Sequence, residues 1–359
     1  MRLSIWMCPW DLEGREPEAV LDELESLGLN ACSLALAYHG GRMVLPRHPW
    51  RVVYEQHPSA IYFAADLSRF GRLRPAISPL AGMVSPFLEA AARRRFPVEA
   101  WTVFCHNDHL GALAPDCCIE NLFGDRYTYA LCPSHPDVRD YILSLCAAVA
   151  SVPGISGIDV EALSYMGYEH LSLHDKRGAP LAPQVAALLS ICFCRHCRDR
   201  FGVAADDGLR RAVRAALNGE AFHLDQPLPA VPCPPPLSEL RSVSAGLRLN
   251  LRMTPDPTFR GGKTALAFAD AARMAHEATV TFFGGPIRLD HIPPRIERPL
   301  PLRAGFVFHG PDCAAEADLR RRLAVLAGSD VDGISFYSYS MASREHLEWL
   351  RRALKGVFR

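Results

Sequence analysis

Two carboxylates placed two residues apart are the first feature of the chain that could do chemistry. Asp159 and Glu161 interrupt an apolar run at 155–163, and on a strand this spacing points both side chains to the same face. The functional interpretation makes Glu161 a general acid/base, with burial and the neighbouring Asp159 favouring its protonated form. The structural interpretation ties one carboxylate to an arginine and leaves the other at the surface.

The sharpest motif is a cysteine cluster. Cys192, Cys194 and Cys197 have the spacing Cys-x-Cys-x-x-Cys, which can wrap one tetrahedral zinc ion when a fourth ligand comes from elsewhere in the fold. A redox pair and coincidence are the alternatives. The chain has 12 cysteines, and in a cytosolic protein metal binding or simple burial is favoured over disulfides.

Strand-like and helix-like segments alternate along the chain and would position these residues. Eight alternations predict a parallel sheet that closes into a (β/α)8 TIM barrel. An open doubly wound sheet is disfavoured, because no Gly-x-Gly-x-x-Gly turn follows the first strand. The predicted strands are 2–9, 29–38, 97–105, 155–163, 247–253, 279–283, 302–308 and 332–337.

The whole chain, 1–359, is predicted to be one domain, since barrels often use such lengths. Six prolines lie within 226–236, and we interpret the segment near 218–236 as an insertion because the same alternation resumes after it. Long loops at 39–80 and 106–135 are expected to cover the C-terminal face of the barrel and to set specificity.

In such a barrel, catalytic and binding groups come from the C-terminal ends of the strands and the loops that follow. Polar and aromatic side chains gather at these predicted ends, and Trp101 is a further aromatic that could stack on a substrate. The predicted substrate-binding residues are Trp10, Asp11, His39, Arg47, His106, Asn107, Tyr165, His170, Arg252, His309 and Tyr337.

Composition limits the classes of function. Lys and Arg total 39, as do Asp and Glu, and this balance argues against a nucleic-acid or membrane-surface role. No apolar run reaches the length of a membrane span. The N-terminal residues lack the apolar core of a signal peptide. We therefore expect a cytoplasmic protein that binds neither nucleic acid nor membrane.

The segment 130–201 resembles the family-42 glycoside hydrolases, which are barrels with a Cys-x-Cys-x-x-Cys segment after the strand bearing the acid/base glutamate. An earlier Cys-Pro in that family joins the same zinc, and Cys132-Pro133 is similar to it. The resemblance implies a carbohydrate substrate, Glu161 as acid/base, and a homo-oligomer, since related barrels often form trimers or dimers. It also implies a structural zinc site made of Cys132, Cys192, Cys194 and Cys197.

Glycoside hydrolysis needs a second carboxyl group, about 5–5.5 Å from the first for retention or roughly 6.5–9.5 Å for inversion. That family has a glutamate nucleophile at strand seven, whereas this strand leads into His309, with Asp312 as the nearest carboxylate. The second carboxylate could be Asp11, Asp159, Asp256, Asp290 or Asp312, with Asp256 and Asp312 the leading candidates besides Asp159. No organic cofactor is expected.

Two other functions stay open. The rim histidines with Asp159 or Glu161 could hold a divalent metal in a hydrolase, isomerase or lyase. His106-x-x-His109 and His170-x-x-x-His174 have ligand-like spacings if those loops are helical. A barrel that binds carbohydrate without turning it over is the third hypothesis.

Overall fold

The computed structural model confirms the predicted (β/α)8 TIM barrel. It describes residues 1–168, 170, 176, 178, 181–202, 204–223, 239–256, 259 and 261–357. Within these residues, eight parallel strands pair in sequence order, and the first also pairs with the last, so the sheet is closed. The strands are β1 (Arg2–Met7), β2 (Ala31–Tyr38), β3 (Val98–Val103), β4 (Gly157–Glu161), β5 (Arg248–Thr254), β6 (Glu277–Phe282), β7 (Leu302–Val307) and β8 (Gly333–Tyr337).

Helices cover the outside of the barrel, and the buried strands are rich in apolar residues, as parallel strands packed on both faces require. Each predicted strand overlaps an observed one, with ends that differ by up to two residues. The longer helices of the described segments are Pro17–Ser26, Val84–Arg94, Pro136–Ala150, Pro183–Ser190, Arg195–Phe201, Asp207–Leu217, Phe268–Met274, Glu316–Ala327 and Arg344–Val357.

The two long loops carry structure that the sequence patterns did not reveal. Gly41–Val44 pairs with Val53–Gln56, and Cys118–Glu120 pairs with Arg126–Leu131, so each loop contains an antiparallel hairpin. These hairpins rise from the C-terminal ends of β2 and β3. Most of the predicted insertion at 218–236 lies outside the described residues.

The interior of the barrel is filled by polar as well as apolar side chains. Near the N-terminal end, buried Arg303 donates to both oxygens of Glu99 at 2.6 and 2.8 Å and also contacts Glu277. Closer to the C-terminal end of the barrel, Trp6 lies against Gly305, where a Cβ atom would come within 2.6 Å of the indole ring. Glycine at 305 therefore leaves room for the Trp6 indole, which donates a hydrogen bond to Asp159.

No helix within the described segments is long and apolar enough to cross a membrane.

Candidate active site at the C-terminal end of the barrel

A single arginine joins the two carboxylates of β4. Arg252, on β5, donates from Nη2 to Asp159 Oδ2 at 3.1 Å and from Nη1 to Glu161 Oε2 at 2.6 Å. Its side chain is 2% exposed, so it reaches the carboxylates from inside the barrel. Asp159 and Glu161 therefore share a face, as the sequence predicts. Arg252, which was predicted to bind substrate, is buried beneath the two carboxylates and not on their solvent side.

Two tryptophans enclose this ion pair. The guanidinium carbon of Arg252 lies 4.1 Å from the ring centre of Trp6 and 4.6 Å from that of Trp101. Each indole N–H donates to one carboxylate: Trp6 Nε1 to Asp159 Oδ2 at 2.6 Å, and Trp101 Nε1 to Glu161 Oε2. The aromatic faces and the ion pair together hold both carboxylates in place.

Asp159 and Glu161 differ in what remains open to a substrate. Asp159 is fully buried, and Asn250 Nδ2 lies 3.4 Å from its other oxygen. Glu161 is 22% exposed. Its Oε1 lies on the side of Gly262, where a Cβ atom would be 3.9 Å from it and 3.7 Å from the His170 ring. Glu161 therefore presents one anchored oxygen to the protein and one oxygen to the rim.

Three histidines form one wall of this rim. The ring of His39 stacks on that of His106 with centroids 4.1 Å apart, and His106 Nδ1 lies 3.3 Å from His170 Nε2. Burial lowers the pKa of all three, that of His170 to about 4, and the neighbouring imidazoles add to the effect for His106 and His170. The wall is therefore neutral near pH 7.

The depressed pKa of His170 predicts a loss of stability in acid. In the unfolded chain His170 takes up a proton near its ordinary pKa of 6.5, whereas in the folded protein it does so only near 4. The unfolded state thus binds more protons between these values, and the free energy of unfolding falls as pH drops from 6.5 to 4. A His170→Gln variant should lose less stability than the wild type between pH 7 and pH 4 in urea titrations.

His223, which is exposed, supplies the control for that measurement. A His223→Gln variant should follow the wild-type dependence on pH. An unchanged dependence in His170→Gln would show that His170 is not held neutral by its surroundings.

Tyr337, at the end of β8, completes the aromatic lining. Its ring centre is 6.1 Å from that of Trp6 and 6.2 Å from that of Trp101. Burial raises its pKa to about 12, although a hydrogen bond with Tyr38 opposes the rise. Tyr337 is therefore a neutral hydroxyl at the mouth of the barrel.

Three other predicted residues line a small cavity. Trp10, Asp11 and Arg47 line a space of about 20 Å³, room for about one water molecule. Asp11 Oδ2 accepts from the Cys8 N–H at 2.8 Å and from Ser340 Oγ at 2.7 Å, and burial raises its pKa. Arg47 donates to the carbonyls of Tyr339 and Ala342 at 2.6 and 2.8 Å, so it holds the loop after β8.

Asn107, Tyr165 and His309 have contacts that serve the fold. Asn107 Oδ1 caps the short helix Asp108–Leu113 by accepting from Leu110 N at 2.9 Å. Tyr165 shares a 2.7 Å hydrogen bond with Ser134 Oγ. His309 Nε2 accepts from the Ser338 N–H at 3.2 Å, which leaves Nδ1 to donate to the Gly310 carbonyl at 3.0 Å.

The two leading candidates for a second carboxylate occupy different positions. Both oxygens of Asp312 lie 3.0 Å from the Gly284 N–H, so the side chain ties the loop after β7 to the loop after β6. Asp256, in the loop after β5, interacts electrostatically with Lys263. Lys263 directly follows Gly262, the residue beside Glu161 Oε1. Asp256 therefore interacts with a residue that is next in sequence to the glycine beside Glu161.

The four predicted cysteines lie together in the fold. Cys132 Sγ is 3.7 Å from Cys192 Sγ, 3.7 Å from Cys194 Sγ and 3.5 Å from Cys197 Sγ, and all four are buried. The cluster joins the segment after Leu131 to the segment that opens the helix Arg195–Phe201. Its sulfur atoms are too far apart for disulfides.

In the part of the chain that the structure describes, one other group has metal-ligating geometry, Asp116 with Cys117 and His135. Neither group includes a rim histidine, Asp159 or Glu161. His174, part of one predicted ligand pair, lies outside the described residues.

Sequence reasoning missed several residues that shape the site. Trp6 was missed because it lies inside the predicted strand 2–9 and not at its C-terminal end, although alternation along β1 places it on the same face as Ser4, inside the barrel. Lys263 and Phe283 were missed because they stand in short loops without a recognisable pattern. Phe283 could have been predicted from its position directly after the C-terminal end of β6.

The comparisons with known proteins agree with the fold. No protein-family model matches the chain, and no curated protein resembles it in sequence. Among solved structures, α-L-fucosidase isoenzyme 2 from Paenibacillus thiaminolyticus is similar with a TM-score of 0.57 and 11% identity, over 100% of this chain and 49% of that one. The glycoside hydrolase domain of PgaB from Bordetella bronchiseptica has a TM-score of 0.55 and 14% identity, over 98% of both chains.

A β-galactosidase from Bacillus circulans sp. alkalophilus has a TM-score of 0.54 and 10% identity, over 100% of this chain and 56% of that one. The chain thus spans about half the length of the fucosidase and the galactosidase. At such identities, these likenesses establish the barrel architecture.

Proposed function

We propose that the protein is a glycoside hydrolase in which Glu161 is the reacting carboxylate. The observation that carries the proposal is the asymmetry of Glu161. Oε2 is anchored by Arg252 and Trp101, while Oε1 faces the rim beside His170. A carboxylate held in this way reaches a substrate without having to reorganise.

The contacts of Glu161 also bear on its role. Arg252 and Trp101 both donate to Oε2, and Oε1 is left towards the rim. We therefore propose that Glu161 reacts through Oε1, as acid/base or as nucleophile. Asp256 is the second carboxylate that we favour, because it interacts electrostatically with Lys263, the residue after Gly262, while Asp312 is occupied by the Gly284 N–H.

A carbohydrate substrate fits the surroundings of this carboxylate. Aromatic rings line the mouth and can cover the apolar faces of sugar rings, while neutral histidines and Tyr337 offer hydrogen bonds to hydroxyl groups. The similar structures include an α-L-fucosidase, a glycoside hydrolase domain and a β-galactosidase, and this likeness supports the proposal. Membership of family 42 stays part of the proposal, carried by the cysteine motif and Glu161.

The direct test is an assay of the purified protein on a panel of aryl glycosides and neutral oligosaccharides, with proton NMR of the released sugar. Turnover of a panel member with a defined anomeric outcome supports the proposal. Affinity for sugars without release of product would favour the carbohydrate-binding alternative. Activity that depends on an added divalent metal and survives loss of the Glu161 carboxylate would favour the metal-dependent alternative.

We further propose that Cys132, Cys192, Cys194 and Cys197 bind a structural zinc ion. With Zn–S bonds of about 2.3 Å, tetrahedral geometry places the sulfur atoms about 3.8 Å apart. The distances from Cys132 to the other three are 3.5 to 3.7 Å, so the residues fit the ion. The zinc would tie the loop after β3 to the region after β4.

Metal analysis tests this assignment. The wild-type protein is expected to contain about one zinc per chain, and Cys192→Ser to retain much less, because a tetrahedral structural site needs all four ligands. Cys146→Ser is the matched control, since Cys146 is also buried but lies outside the cluster. Equal zinc content in both variants would contradict the assignment.

A further inference from the structure

An aromatic ring stands partly exposed at the mouth of the site. Phe283 directly follows β6 and is 40% exposed. Its ring centre lies 6.2 Å from that of Trp6, at an interplanar angle of 87°, and 5.1 Å from that of Tyr337. Since Trp6 also contacts Asp159, Phe283 belongs to the same end of the barrel as Glu161.

The loop behind this ring is held at two points. Gly284 has φ +73°, a conformation that favours glycine, and its N–H donates to Asp312. Arg322 Nη2, from the helix Glu316–Ala327, donates to the Gly285 carbonyl at 2.7 Å. The direction in which the Phe283 ring projects is therefore fixed by the fold.

A fixed, exposed phenyl ring beside a reactive carboxylate has a definite chemical use. Leaving an aromatic surface in water is unfavourable, and a sugar residue offers a face of C–H groups that can cover it. Phenylalanine has no hydrogen-bonding group, so it would recognise only that apolar face and would leave recognition of hydroxyl groups to neighbours such as Tyr337.

We propose that Phe283 is the stacking platform for the sugar residue bound next to Glu161, and that Asp312 is the positioning residue that holds it. The ligand is a neutral sugar residue with an exposed C–H face. This inference rests on the proposed glycosidase function, and it assigns Asp312 a role other than that of second carboxylate.

Steady-state kinetics and calorimetry on the full-length protein test the platform. With the neutral oligosaccharide that the panel assay identifies as best substrate, Phe283→Ala should raise KM about tenfold, as loss of a stacking contact implies, and leave kcat within about twofold of wild type. Phe283→Trp should restore KM. Leu289→Ala is the matched control, because Leu289 is 53% exposed in the same loop region.

Asp312→Asn separates positioning from catalysis. Because the amide oxygen can still accept from the Gly284 N–H, the variant should keep the wild-type KM, kcat and pH profile. Asp312→Ala, which has no acceptor, should raise KM and leave kcat within about twofold of wild type. A fall in kcat of about 10³-fold would instead make Asp312 a reacting carboxylate and overturn its assignment here.

The kinetic and binding measurements distinguish loss of the Phe283 platform from loss of the glycosidase function. If Phe283→Ala matches Leu289→Ala in KM while Glu161→Gln is inactive, the platform is refuted and the glycosidase stands. If the wild type neither turns over nor binds any panel member in calorimetry, both are refuted.

Discussion

Replacing Glu161 by glutamine should lower kcat by about 10³-fold, the scale of a lost acid/base group, and leave sugar affinity nearly unchanged. The amide keeps the shape of the side chain, and its oxygen can still accept from Arg252 and Trp101. What is lost is the negative charge on the oxygen that faces the rim. Initial rates and calorimetric titrations with the best substrate measure the two quantities separately.

Glu89→Gln is the matched control, because Glu89 is exposed on the outer helix Val84–Arg94. It should behave as wild type. If Glu161→Gln also kept the wild-type kcat, Glu161 would not be the reacting carboxylate.

Replacing Arg252 by methionine should lower the free energy of unfolding by about 3–5 kcal/mol, the usual result of removing one partner from a buried ion pair. The variant leaves Asp159 and Glu161 as neighbouring charges without their shared counter-ion. Urea denaturation at pH 7 measures the loss.

The same strand supplies the control for this variant. Arg248 is exposed at the start of β5, and Arg248→Met should change the free energy of unfolding by less than about 0.5 kcal/mol. Partial recovery in the double variant Arg252→Met, Asp159→Asn would show that charge is the cause. A loss that is just as large in the double variant would point to packing against Trp6 and Trp101 instead.

The barrel could be predicted because its signal repeats. Eight apolar strands alternate with amphipathic helices, and the closed parallel sheet follows from that count. The hairpins in the loops after β2 and β3 could not be predicted, because short strands in a polar loop lack a distinctive period.

The candidate site could be predicted in part. Spacing alone places Asp159 and Glu161 on one face, and the structure brings the four cysteines together. The alternation Arg-Leu-Asn-Leu-Arg along β5 places Arg252 on the same face as Asn250, but it could not show that Arg252 joins both carboxylates, because the pattern of one strand does not identify the partners that its side chains meet on another. For the same reason, Arg47, Asn107 and His309 were grouped with the site by position, whereas their hydrogen bonds hold loops.

Chemical rescue tests the central claim most directly. Glu161→Ala should be inactive on an activated aryl glycoside, and added azide should restore release of the aryl group with formation of a glycosyl azide, because the small anion can occupy the space of the missing carboxylate. Turnover by Glu161→Ala at the wild-type rate without azide would contradict the assignment of Glu161 as the reacting group.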